Sequence, residues 1–387
     1  MTKAKRIQVV PDMSLEYFRQ ATVGALRYAF NTGRMEFPGR WLDHERYGDI
    51  SPLVKRDDIH GLIVAAHDAA EEARFADLEI PVVNISNSMS APRIPVVTQD
   101  DVSVGRLAAE HLIDRGCRNF AFWGDKGKSY SDERLQGFRQ TLGSRPLQVK
   151  LGGRNRVRPH PVFKSMKAFM KTLPPKTGLF ATLDDSALYF LRAARELGRS
   201  VPDDIAVLGA GDDDFLVEIE SVPLSSIRLP AREIGYQAAA LLDEMIEKDT
   251  RNVDSIRLPV HGISERHSTD ALQFEDPVVT KVMRYLRDDI TCQASDLIAI
   301  SGVSRSGLQT RFRAAVGRSL LEEIHRARIS QAKHLLATSD LTLENIADRV
   351  GFNSAQRLHA IFTKSVGTPP GVFRTRNRAI AATPLHR

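Results

Sequence analysis

The sequence predicts a bilobed α/β unit built on two doubly wound parallel sheets, followed by an all-α C-terminal domain. Three observations predict this. Short Val/Ile-rich runs alternate with amphipathic stretches up to about residue 260. After Pro277 every apolar pattern has helical spacing. Charge divides at the same place: residues 274–387 carry 17 Lys and Arg against 10 Asp and Glu, a net +7, whereas the whole chain of 387 residues is only +6.

The strands come first. Runs at 6–10, 61–65, 80–85, 119–123, 178–181, 205–209 and 256–260 are mostly continuously apolar rather than alternating, as expected of strands covered on both faces. Between them, Leu107, Leu112 and Ile113 line one face of a segment closed by Gly116, and Leu188, Leu191 and Ala194 do the same before Gly198. Alternation of this kind gives parallel sheets flanked by helices, whose ligands bind outside the carboxyl ends of the strands. The number of units gives two such sheets, the whole unit ending at 265. The segment 261–277 mixes polar, charged and turn-forming residues without a period. It reads as irregular, with a linker at 266–277, a helical domain at 278–378 and a tail at 379–387.

Composition excludes several classes. No run approaches the roughly 20 apolar residues of a membrane helix, and the N-terminal apolar stretch is too short for a signal peptide, so no membrane contact and a cytoplasmic location are expected. Cys117 and Cys292 are the only cysteines, too few for a disulfide framework or a cysteine zinc site. His44, His60, His67 and His111 lack metal-ligand spacing, and GAG at 209–211 is an incomplete dinucleotide loop. With no nucleophile elbow or phosphate loop either, neither an enzyme nor a metal or cofactor is expected.

Within the basic domain, two stretches share a plan. DLIAISGVSRSGLQTRF turns at Ser301 and Gly302 and restarts at Ser304; ENIADRVGFNSAQRLHAIF does so at Gly351 and Ser354. Glycine accommodates each turn and serine caps the helix that follows, the pattern of a helix-turn-helix. Leu308 and Phe312 share the inner face of the first such helix, leaving Ser306, Gln309, Thr310 and Arg313 outside. On the second, Leu358 and Phe362 point inward and Gln356, His359, Ala360 and Thr363 outward. Gln grips adenine, Arg and His address guanine, and Thr meets a base edge or a thymine methyl. Arg305, Arg311, Arg357 and Lys364 are placed for phosphates. The partner expected is duplex DNA.

The stretch 278–378, with GFNSAQRLHAIFTKSVGTPPGVFR at 351–374, resembles the DNA-binding domain of the AraC family of bacterial transcription regulators. It departs from the family at Pro369, where Thr is usual, and at Phe373, often Tyr. Upstream, QDDVSVGRLAAEHLIDRGCRNFAFWG at 99–124 resembles the core of the LacI/GalR repressors, whose fold is that of type I periplasmic binding proteins; the resemblance implies lobe 1 from about 1–99 and 230–260 and lobe 2 from about 100–228. The order, sensor then RHSTD at 266–270 then AraC-type domain, is similar to that of xylose-responsive regulators. The resemblance implies a sugar effector, D-xylose or another pentose or hexose, with RNA polymerase and a second copy of the protein as partners.

It also implies ligand residues. Arg134 in SYSDERLQGF matches an arginine directed at the ligand, and Tyr130 is a candidate stacking ring. Asp184 and Asp185 match the Asn-Asp pair of the repressors, Asp212 or Asp213 matches the strand-end Asp, and Asp12 and Ser14 come from the first loop, with Tyr17 and Arg19 nearby. For each carboxylate the alternative is a helix cap or turn; for Arg134 it is a surface ion pair and for Tyr130 an ordinary loop aromatic. For the whole protein, the alternative from another class is a sugar-binding module whose basic helical domain docks a protein.

Overall fold

The computed structural model describes residues 4–10, 12–13, 15–38, 50–152, 159–260, 262–270 and 274–381. Lobe 1 is formed by β1 (Lys5–Val10), α1 (Glu16–Thr32), β2 (Met35–Glu36), α2 (Ser51–Arg56), β3 (Gly61–Val64), α3 (Ala69–Ala76) and β4 (Val82–Asn84). Its strands pair in parallel in the order β2-β1-β3-β4. The apolar run of β3 serves two cores at once. Ile63 joins Ile7, Val9 and Ala25 on one face, while Leu62 and Val64 join Val10 and Phe75 on the other.

Through β5 (Val97–Gln99) the chain enters lobe 2: α4 (Asp101–Asp114), β6 (Asn119–Asp125), α5 (Ser129–Leu142), β7 (Leu147–Gly152), α6 (Pro159–Thr172), β8 (Thr177–Ala181), α7 (Asp184–Glu196), β9 (Ile205–Gly211) and β10 (Ser225–Arg228). It returns to lobe 1 as α8 (Ala231–Glu247), and β11 (Ile256–Leu258) pairs in parallel with β5 at the crossing. Last comes β12 (Ile263–Ser264), antiparallel to β10, which completes a six-stranded sheet ordered β12-β10-β9-β8-β6-β7. β8 divides its side chains as β3 does, Leu179 to one core and Phe180 to the other.

The sequence pattern misses the short strands β2, β5 and β12 as well as β7 and β10, and the last two escape it for different reasons. β7 is a half-exposed edge strand with polar alternation. β10 begins with two fully buried serines, of which Ser225 bonds the segment beyond the sheet and Ser226 bonds Asp184 and the Asp212 amide. That segment corrects the expectation of an irregular linker. Besides β12, a 3-10 turn at His267–Thr269 is packed on the sheet, with Ser268 and Thr269 fully buried. Ser268 donates to the Val207 carbonyl (2.6 Å) and accepts from the Ser225 amide (2.8 Å); Thr269 Oγ1 bonds Ser225 Oγ (2.7 Å) and His111 Nε2 (2.9 Å). Polar composition misleads there because hydrogen bonds satisfied by the sheet edge replace apolar contact.

The helical domain follows as α9 (Pro277–Asp288), α10 (Ala294–Ser301), α11 (Arg305–Val316), α12 (Leu320–Thr338), α13 (Leu343–Val350), α14 (Ala355–Val366) and α15 (Pro370–Ala381). It has two cores, each built on one helix-turn-helix. Leu297, Leu308 and Phe312 fill the first with Ile324 of α12; Ile346, Leu358 and Phe362 fill the second with Ile329 of the same helix. Arg328, also on α12, ties the halves together. Its guanidinium donates to the carbonyls of Ile290, Thr291 and Cys292 (3.0, 3.0 and 2.7 Å) and lies 5.6 Å from the Phe352 ring centre.

Candidate functional site

A cavity of about 600 Å³ opens between the lobes, at the carboxyl ends of both sets of strands. Lobe 1 lines it with Asp12, Tyr17, His67, Glu71, Asn87 and neighbours; lobe 2 lines it with Asp125, Lys126, Lys128, Tyr130, Arg134, Asp184, Asp185 and Asp213. The lobes also touch directly. Lys128 Nζ donates to the His67 carbonyl (2.9 Å) and the Tyr130 amide to the Asn87 carbonyl (2.9 Å).

Arg134 lines the cavity yet is 2% exposed. Its Nε donates to Asp101 Oδ1 at 2.7 Å, one terminal nitrogen donates to the Thr182 carbonyl, and its guanidinium lies 5.3 Å from the centre of the Tyr130 ring. It is neither a surface ion pair nor a free ligand hook, but half of a buried pair whose remaining face borders the cavity. Tyr130 also lines the cavity, its hydroxyl bonded to Asp125.

Asp184 begins α7 behind Leu183 and makes no cap; its Oδ1 accepts from Ser226 Oγ (2.6 Å) and its Oδ2 from the Asp213 amide (3.1 Å). Burial, opposed by those two hydrogen bonds and reinforced by the nearby Asp212 and Asp185 charges, pushes its carboxyl up to about 7. Asp185 lines the cavity beside it. Asp213 lines it as well while its carboxylate caps the turn that follows, accepting from the amides of Phe215 and Leu216 (both 3.1 Å).

Of the strand-end pair, Asp212 is the one turned away. At φ +55° its carboxylate accepts from Ser264 Oγ (2.5 Å) and Arg266 (2.8 Å), binding the sheet to β12 instead of facing the cavity. Asp12 and Tyr17 line the cavity, and Tyr17 bonds Gln99 Oε1 at 3.1 Å. Arg19 points elsewhere, to Glu16 (2.6 Å) and the Met13 carbonyl (2.9 Å). Ser14 lies outside the described residues. The residues that the sequence reading missed, among them His67, Asn87, Asp125, Lys126 and Lys128, sit just beyond β3, β4 and β6 or at the end of β6. The carboxyl-end rule points to those positions.

In the helical domain, Gly302 and Gly351 adopt φ +69° and +83°, and Ser304 and Ser354 cap α11 and α14 by accepting from Gly307 and Arg357 amides (both 3.2 Å). Leu308, Phe312, Leu358 and Phe362 are fully buried. Arg305, Ser306, Gln309, Thr310, Arg311 and Arg313 are exposed on α11, as are Gln356, Arg357, His359 and Lys364 on α14, with Thr363 half-buried. Thr310 returns its hydroxyl to the Ser306 carbonyl (3.0 Å), and Arg311 pairs with Asp276 at 2.8 Å, so neither is a fully free donor.

Among the described residues, no cluster of three or more His, Cys, Asp or Glu could hold a metal, and no helix is long and apolar enough to cross a membrane. Burial pushes the Cys117 thiol up to about 12 and that of Cys292 to about 11.

Residues 109–269 match the profile of the periplasmic binding protein-like domain, and residues 297–376 that of a helix-turn-helix domain. Over 332 residues the sequence is 29% identical to the xylose operon regulatory protein of Escherichia coli (strain K12), covering 83% of this chain and 85% of that one. It is 27% identical over 337 residues to the protein of the same description from Haemophilus influenzae, covering 83% and 86%. A solved structure of the xylose-binding transcription activator xylR matches 97% of this chain and 99% of its own, at 28% identity and a TM-score of 0.59. A LacI family transcriptional regulator from Enterococcus faecium with bound ribose matches 69% of this chain and 99% of its own at 23% identity and a TM-score of 0.55, a likeness of fold.

Proposed function

We propose that this protein, which joins a periplasmic binding protein-like domain to a helix-turn-helix domain as its xylose-operon relatives suggest, is a sugar-responsive transcription regulator. It binds D-xylose or a related sugar in the interlobe cavity and duplex DNA through α11 and α14. The observation that carries this reading is the pairing, in one polypeptide, of a cavity at the strand ends with two capped helices presenting Gln, His and Arg outward. Polar groups ring a space suited to hydroxyls, with Tyr130 and Tyr17 adding aromatic surface to its lining.

The proposed mechanism is a population shift. Sugar favours the closed cleft, and closure alters how two copies present their four recognition helices, which sets operator spacing. Activation near a promoter places the regulator beside RNA polymerase, in the cytoplasm.

A thermal-shift screen over pentoses and hexoses tests the sensor, because a ligand that binds only the folded state stabilises it by mass action. D-xylose is expected to raise Tm, and Arg134→Ala to abolish the shift; a shift of full size in that variant would remove Arg134 from the site. A gel shift on upstream duplex tests the reader. Binding that weakens steeply with salt is expected, since phosphate contacts release counterions, and the absence of duplex affinity would favour a protein-docking role for the helical domain.

A further inference from the structure

The helical domain does not hang free of the sensor. At the C-terminal end of α4, the Asp114 carboxylate, 6% exposed, pairs through one oxygen with Arg318 and through the other with Arg326. Both arginines belong to the helical domain and are shared with buried Glu323, at 2.5 and 2.8 Å. Further along, Lys333 stands seven residues beyond Arg326 on α12, close enough to Arg106 and Glu110 of α4 to feel their charges. Residues 106, 110 and 114 are four apart, and 326 and 333 two turns apart, so one stripe of α4 faces one stripe of α12. The same end of α4 also holds the connecting segment, through His111 to Thr269 (2.9 Å) and Arg115 to Glu265.

The opposite end of α4 is at the cavity. Asp101, its first residue, is the fully buried partner of Arg134, and accepts also from Asn87 of lobe 1 (2.9 Å). The two ends lie about 20 Å apart, at 1.5 Å per residue. Between them α4 is fused to α5, the helix that carries Tyr130 and Arg134. A Cβ at Gly105 would sit 1.9 Å from the Arg134 carbonyl oxygen, and one at Gly137 1.9 Å from that of Val102, so the backbones touch and neither helix can slide alone. The helical domain meets the other lobe too, with α15 against α8. A change in the interlobe angle therefore has to alter one of these two contacts.

We propose that α4, locked to α5, is the lever that carries the state of the cavity to α12, with Asp114 as the positioning residue that couples them. Because α12 contributes to both cores of the helical domain, moving it reorients α11 and α14 together. The lever rests on the reading of the cavity as a sugar site.

The test uses the full-length protein with spin labels at exposed Asn31→Cys on α1 of lobe 1 and Ser365→Cys on α14, because a helical domain carried with α4 and α5 keeps its distance to lobe 2 and changes its distance to lobe 1; the native cysteines are buried and their thiols shifted far above neutrality. With no further substitution, addition of D-xylose is expected to shift the label distance. Asp114→Asn is expected to broaden the distribution without sugar and, because coupling is reciprocal, to change the D-xylose Kd by about fivefold or more, with Asp114→Glu restoring part of both. An unchanged distribution, or a broadened one with an unchanged Kd, overturns the lever. If the unsubstituted protein binds no sugar in the thermal-shift screen, it is the reading of the cavity that fails, and the lever falls with it.

Discussion

Replacing Asp184 by Asn removes one titrating proton from the cavity wall while keeping shape. In the native protein this carboxyl is held up to about 7, chiefly by burial. Between the ordinary carboxylate range and pH 7 the folded state then binds more protons at this group than the unfolded state, so stability falls as pH rises through that window and is level above it. A displacement of about 3 on the pH scale at ~1.36 kcal/mol each makes the native protein lose about 4 kcal/mol at most between pH 4 and 8 from this group. The amide can still accept the Asp213 N–H and donate to Ser226 Oγ, so Asp184→Asn should fold. It should lack that slope and exceed the native protein in Tm at pH 8, while falling level with it or below near pH 4. The assay is Tm against pH for both proteins without sugar, read as a difference. This cancels groups such as Glu265, which, despite burial, the His111 and Arg115 charges hold at about 2. Parallel profiles from pH 4 to 8 would refute a raised Asp184.

Other perturbations follow from the same geometry. Gly105→Ala drives a methyl group against the Arg134 carbonyl, and a loss of about 3 kcal/mol is expected in denaturant titration of the sensor signal. Ser354→Ala removes the cap of α14, which should cost about 1 kcal/mol, visible as faster amide exchange in the first turn of that helix; unchanged exchange would mean the cap is dispensable. Gln356→Ala with His359→Ala should relax discrimination among operator variants by about 1–3 kcal/mol per contacted base pair while leaving salt dependence in place. Undiminished discrimination would show that α14 does not read bases.

The two parts of the molecule were unequally legible. The helical domain could be read almost completely, because a helix-turn-helix is local: the glycine at φ +83°, the capping Ser354 and the buried Leu358 and Phe362 all lie within about a dozen residues. The α/β strands were legible where they are buried on both faces, as in β3 and β8, and illegible where hydrogen bonding replaces apolar contact, as in Ser225, Ser226 and the 267–269 turn. Candidate cavity residues could be named from the family resemblance, but not their orientations, and strand-end residues such as His67, Asn87 and Asp125 were passed over. Nothing local distinguishes Asp213, which faces the cavity, from Asp212, which binds Arg266.

By itself, then, the sequence determined the architecture, the two helix-turn-helix units and the charge that separates reader from sensor, since each follows from periodicity, caps and composition along neighbouring residues. The tertiary structure alone decided that Arg134 is committed to Asp101, that burial raises the Asp184 carboxyl to about 7, and that Asp114 grips Arg318 and Arg326. These depend on burial and on partners more than 30 residues away in most cases, and the energy of a charge is set by what surrounds it in space rather than along the sequence.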